Sequence, residues 1–120
     1  MTEWTDYGMR FSAVHAEHSD AFAIGVIIED LDTGKTYYVT GDTLYNTEIL
    51  SALPHDVDTV FLPIYGKGNN MNAKDAADFA YEIGAKCAVP LHYGLFDNID
   101  PSEFDFDDAL VLTPYEPVSL

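Results

Sequence analysis

The stretch FAIGVIIEDLDTGKTYYVTGDT, residues 22–43, decides the architecture. Its opening segment, 22–29, is apolar on both alternating faces, as a buried strand is. Segment 30–35 (DLDTGK) is built from turn residues, with Gly34 free to take a positive φ. Segment 36–40 (TYYVT) is β-branched and aromatic, which makes it the hairpin partner of the preceding strand. The hairpin runs directly into Gly41-Asp42-Thr43, so a carboxylate stands just past the end of a buried strand.

Working outward, 9–14 (MRFSAV) reads as a short strand and 57–64 (VDTVFLPI) as another buried one. A short helix is expected over 47–53, stopped by Pro54. From residue 73 to 83 the period changes: Ala76, Phe79, Ala80 and Ile83 fall at helical spacing. Asn72 is a good N-cap, Asp75 suits the positive end of the helix dipole, and Gly84 suits the end of the helix. Segment 87–91 (CAVPL) is a short strand that Pro90 confines to an edge or brings to its end. Segment 110–113 (LVLT) reads as a last strand. The order β, β, β, α, β, α, β, β is that of a mixed α/β layer structure, with hairpins first and a β-α-β unit after them.

Composition bounds the function. One domain is the expectation for 120 residues, and 48% apolar residues suffice for a core. The single cysteine, Cys87, cannot form a disulfide within the chain, which fits a reducing compartment. Segment 1–7 lacks the basic start and apolar run of a signal peptide, and no apolar run approaches the length of a membrane span. The cytoplasm is therefore the expected location. Five Lys and Arg against 21 Asp and Glu give a net charge of −16. That balance argues against nucleic acid and anionic membranes as partners, because both require clustered cations. A small-molecule substrate is the partner expected instead.

The residues able to ligate a metal are His15, His18, Asp42, His55 and His92. His18 lies between two strands, in His15-Ala16-Glu17-His18-Ser19-Asp20, and His92 follows a strand, in Pro90-Leu91-His92-Tyr93-Gly94. Polar side chains at the ends of strands in a rigid sheet can converge on one point. Two imidazoles and a carboxylate match the ligand preferences of Zn²⁺, and also of Mn²⁺ and Fe²⁺. No short-range ligand motif such as CxxC or HExxH is present. His55, in a Pro-His-Asp loop, reads as an exposed residue.

Five elements in order carry a resemblance: Ala16-Glu17-His18-Ser19-Asp20, Tyr38-Val39-Thr40-Gly41-Asp42-Thr43, Phe61-Leu62-Pro63-Ile64, Met71-Asn72-Ala73-Lys74-Asp75-Ala76-Ala77 and Val89-Pro90-Leu91-His92-Tyr93-Gly94. Together they resemble the metallo-β-lactamase superfamily, in particular its branch similar to L-ascorbate-6-phosphate lactonase and related bacterial metal-dependent hydrolases. The resemblance spans residues 9–115 and implies the C-terminal half of an αββα sandwich, a mixed sheet with helices on one side. It further implies His18 as ligand of one metal, Asp42 as bridge and His92 as ligand of the second. The metal is a divalent cation, zinc first, manganese or iron otherwise. His15, Thr43, Lys67 and Tyr93 are candidates for supporting or substrate-contacting groups, Lys67 as the one cation of a Gly- and Asn-rich turn. The implied activity is lactonase-like hydrolysis of a small metabolite, phosphorylated metabolites included.

The departure from the family is equally specific. Its first half carries a His-x-His-x-Asp-His signature, and no such spacing occurs in this sequence. The expectation is a single partial domain, 1–120, lacking the N-terminal half and inactive alone, its metal site incomplete or empty. Such a half exposes a sheet face, so a homo-oligomer or a partner chain is expected to cover it. The alternative is a truncated, non-catalytic module that assembles with itself or with a partner half-domain.

Overall fold

A computed structural model describes residues 2–95 and 97–120. A single six-stranded sheet runs in sequence order: β1 (Glu3–Asp6), β2 (Met9–His15), β3 (Ile24–Asp30), β4 (Thr36–Val39), β5 (Thr59–Pro63) and β6 (Cys87–Leu91). The first four strands pair antiparallel, and β4, β5 and β6 pair parallel. Helix α1 (Thr47–Ala52) connects β4 to β5, and α2 (Ala73–Glu82) connects β5 to β6. A 3-10 turn, Pro101–Glu103, follows β6.

Strand alternation assigns the two faces. Ile27, Tyr38, Val60 and Ala88 are register partners in one line and all are buried. Against them pack Ile49 of α1 and Ala76, Phe79 and Ala80 of α2, so both helices lie on the same side. Phe79 is fully buried and its ring meets those of Tyr38 and Tyr45 at 6.2 and 5.7 Å. Truncating a buried phenylalanine of this kind costs about 3–5 kcal/mol. Burial also pushes the Tyr38 phenol well above its ordinary range, so it stays neutral.

Helix α2 begins as expected: the Asn72 side chain accepts the Asp75 N–H at 2.8 Å. Beyond Ile83 the chain turns at Gly84, whose φ of 66° costs glycine little. His55 is exposed, as expected.

Two elements differ from the expectation. Strand β1 is exposed throughout, with too little apolar alternation to mark it. It is held by a tight turn at Tyr7-Gly8, both with positive φ, and by stacking of Trp4 on Phe11 at 5.3 Å. Conversely, 110–113 is not a strand. Ala88 and Ala109 form one parallel bridge, with Ala88 N donating to Asp108 O and Leu110 N to Ala88 O. The next donor along β6 would be Pro90, which has no N–H, so the ladder stops there.

Candidate metal centre

Asp42 and His92 come from strands on either side of β5. Thr40 N donates to Phe61 O at 3.0 Å, extending the β4–β5 ladder past Val39. Gly41 then turns with φ of 66°, and a Cβ there would stand 3.0 Å from the Ile24 carbonyl oxygen. That close approach aims the chain so that Asp42 lies over the end of the sheet. On the other side Ile64 N donates to Leu91 O at 3.0 Å, and His92 follows with φ of 60°. A left-handed backbone is uncommon for a residue other than glycine and costs energy that the surroundings must offset. Here Tyr65 lies edge-on to the imidazole, ring centres 5.0 Å apart.

The result is one juxtaposition. His92 Nε2 and Asp42 Oδ1 stand 3.9 Å apart, each side chain about half exposed, at 45% and 49%. Both line a cavity of about 190 Å³ whose floor is Phe61, Leu62 and Pro63 of β5. An imidazole and a carboxylate at this separation suit a divalent cation in donor type. They are two ligands, one short of what a catalytic zinc requires. Among the described residues, no three of His, Cys, Asp and Glu gather into a metal-holding group.

His18 sits in the β2–β3 connection, half-buried. Its Nδ1 accepts the Asp20 N–H at 3.1 Å, and the Asp20 carboxylate accepts the Phe22 N–H at 2.8 Å. In a neutral ring so engaged, Nε2 carries the proton, so coordination through Nε2 requires this bond to break. His15 is exposed, its Nε2 3.7 Å from Glu17 Oε2. Lys67 is exposed on the 66–72 loop, and its carbonyl accepts from Asn70 Nδ2 at 3.0 Å. Tyr93 is half-buried and packs against the core.

Thr43 joins these loops. It is fully buried. Its hydroxyl accepts the Glu17 N–H at 2.9 Å and donates to Leu44 O at 3.0 Å, while its carbonyl accepts the Met71 N–H at 2.9 Å. Leu44 N returns a bond to Glu17 O at 3.0 Å, and Asn46 Nδ2 bonds Glu17 Oε2 at 2.8 Å. Asn69 Nδ2 meets Ser19 Oγ at 3.2 Å. The chain neighbours of His18 and of Asp42 are thus tied to each other and to the 66–72 loop. Glu17, Asn46, Asn69 and Tyr65 carry this support. Asn46 and Tyr65 did not stand out in sequence, because their partners, Glu17 and His92, lie far along the chain.

A family model described as the beta-lactamase superfamily domain matches residues 1–93. A UPF0173 metal-dependent hydrolase of Geobacillus thermodenitrificans is 45% identical over 74 residues, covering 59% of this chain and 32% of that protein. One from Staphylococcus aureus is 36% identical over 125 aligned positions, covering 88% of this chain and 53% of that protein. Among solved structures, Igni18, a metallo hydrolase from Ignicoccus hospitalis, superimposes with a TM-score of 0.77 at 27% identity, over 92% of this chain and 52% of its own. The chain thus spans about a third to a half of the length of these relatives. The superfamily domain matches more than half of the chain and the relatives alongside it are described as metal-dependent hydrolases; the chain belongs to the β-lactamase superfamily.

Proposed function

We propose that the chain is the Asp42- and His92-bearing part of a lactonase-like, metal-dependent hydrolase acting on a small metabolite. The observation that carries this reading is the 3.9 Å approach of His92 Nε2 to Asp42 Oδ1 at the ends of β6 and β4. Asp42 and His92 would hold a divalent cation, zinc first, with manganese or iron as the alternatives, and His18 would join them once its Nδ1 contact is released. Such a cation lowers the pKa of a coordinated water and polarises the substrate oxygen. The residues of the chain do the positioning: Gly41 aims Asp42, Tyr65 braces the His92 ring, and Thr43 fixes the two loops to each other. Thr43 supports the Asp42 loop through its hydrogen bonds and Tyr93 adjoins His92 in the chain, while His15 and Lys67 would serve as supporting or substrate-contacting groups; none of them replaces a ligand.

Ligand arithmetic sets the expected behaviour. With two donors together and a third in a competing bond, the chain alone binds metal weakly and turns over little. The test is zinc binding by equilibrium dialysis, with lactone, phosphodiester and β-lactam hydrolysis, each with and without the N-terminal half of the Staphylococcus aureus relative. Zinc uptake that His92→Ala abolishes, and hydrolysis only with the added half, are expected. Absence of zinc uptake would sink the reading. Rapid turnover by the chain alone, lost in His92→Ala, would show that the minimal site is smaller than two donors suggest.

A second reading, a non-catalytic module that assembles with itself or a partner half, is favoured by the sheet's other face. Ala13, Val26, Val39, Phe61 and Val89 are register partners in a line from β2 to β6. Phe11, Ile28, Tyr37, Thr59 and Cys87 form the next line on the same face. Neither line contains a charge, in a chain of net charge −16. Thr59 and Val89 are already buried within the chain, so the open part of this uncharged face lies over β2, β3 and β4, and such a face is what another sheet or a second copy packs against.

A further inference from the structure

His92 also borders a second cavity. It measures about 470 Å³ and is lined by Tyr65, His92, Tyr93, Leu95 and Asp97. That volume lies in the range of small-molecule sites. We propose that this cavity holds an uncharged aromatic group of the substrate, placing the scissile bond at the His92–Asp42 end. The proposal rests on the hydrolase reading for its role, though not for the binding itself.

Three observations point to that ligand. The first is the lining: two phenol rings, an imidazole and a leucine offer flat apolar surface with polar edges, which suits a planar ring. Leu95 is 79% exposed at the rim, where a bound ring would cover it. The second is charge. Among the described residues no Lys or Arg lines the cavity, and Lys67 on the neighbouring loop is not one of its lining residues. The third is the state of Asp97. Its carboxylate accepts Gly94 N–H at 3.0 and 3.2 Å and Ile99 N–H at 2.9 Å, so it clasps the loop as an acceptor. A carboxylate held in this way repels a phosphate and tolerates a neutral ring.

The experiment is a ¹⁵N-resolved NMR titration of the EDTA-treated chain with phenol and with phenyl phosphate. Phenol is expected to shift the amide signals of Tyr65, His92, Tyr93 and Leu95. Phenyl phosphate is expected to bind at least about tenfold more weakly, as like charge at the cavity demands. Leu95→Asp, on an exposed side chain that leaves the fold intact, is expected to weaken phenol by about tenfold, and Leu95→Phe to retain it. Equal or tighter binding of phenyl phosphate, shifts confined to other residues, or indifference to Leu95→Asp would each overturn the proposal. Zinc dialysis on the same samples separates the two readings. Phenol binding without zinc uptake sinks the hydrolase reading alone, and zinc uptake without phenol binding sinks this one alone.

Discussion

The Thr43 hydroxyl accepts the backbone N–H of Glu17 at 2.9 Å, joining residues 26 apart in the chain. Each is the immediate neighbour of a candidate ligand, Asp42 and His18. Replacement by valine keeps the shape, removes the acceptor and leaves a partly buried N–H without a partner. Thr43→Val is expected to destabilise the chain by about 1–3 kcal/mol, and Thr43→Ser by less than half as much. Urea denaturation of the two variants checks this, and equal losses would show that the methyl, not the hydroxyl, matters.

Gly41 is expected to tolerate no side chain. Its φ is 66° and a Cβ would meet the Ile24 carbonyl at 3.0 Å. Gly41→Ala should cost about 1–3 kcal/mol from backbone strain and contact. It should also move Asp42 away from His92, seen as lost zinc uptake. A variant as stable as the parent would refute the strained turn.

His92 carries strain of the same kind, φ 60°, without a glycine to relieve it. His92→Gly should leave stability unchanged or raise it by about 0.5 kcal/mol, since the relief of a left-handed backbone slightly exceeds the entropy cost of glycine. His92→Ala, which keeps the strain and loses the ring contact with Tyr65, should be less stable than the glycine variant. Thermal unfolding of the pair measures the difference, and both should lose zinc.

Asp58 gives the chain an acid-sensitive contact. Its carboxylate accepts the Thr36 N–H at 2.9 Å and pairs with Lys86 at 3.2 Å, linking the start of β4 to the strand that follows α1. The Thr36 hydrogen bond, with Lys86, holds its pKa below the ordinary carboxylate value despite some desolvation. A depressed folded-state pKa contributes stability above the unfolded value, near 4, that is lost as pH falls through the folded one. Asp58→Asn should therefore cost about 1 kcal/mol at pH 7, a figure reduced for partial exposure, and next to nothing near pH 2. A pH-independent difference would count against this account.

Sedimentation tests the uncharged sheet face. Val39, 37% exposed in the middle of that face, pairs with Val26 and Phe61. If the face mediates self-assembly, the chain sediments as a dimer or larger, and Val39→Glu weakens association at least about tenfold, because it buries an unpaired charge. A strictly monomeric parent at high concentration would exclude the homo-oligomer and leave a partner half as the cover.

Local chemistry was legible in the sequence. The hairpin of 22–43, the Asn72-capped helix and the edge strand that carries Pro90 follow from period, turn residues and caps, which act over a few residues. Asp42 and His92 were recognisable too, as polar groups just past buried strands. Tertiary structure alone decided which of them meet. Parallel pairing of β4, β5 and β6 places Asp42 beside His92, whereas a short turn occupies His18 Nδ1 with Asp20. It also decided the ends of the sheet. Trp4 stacking on Phe11 secures a strand too polar to mark itself, and the missing N–H of Pro90 stops one that its composition favoured. Propensity is a property of the segment, but pairing and convergence depend on what the rest of the chain brings alongside it.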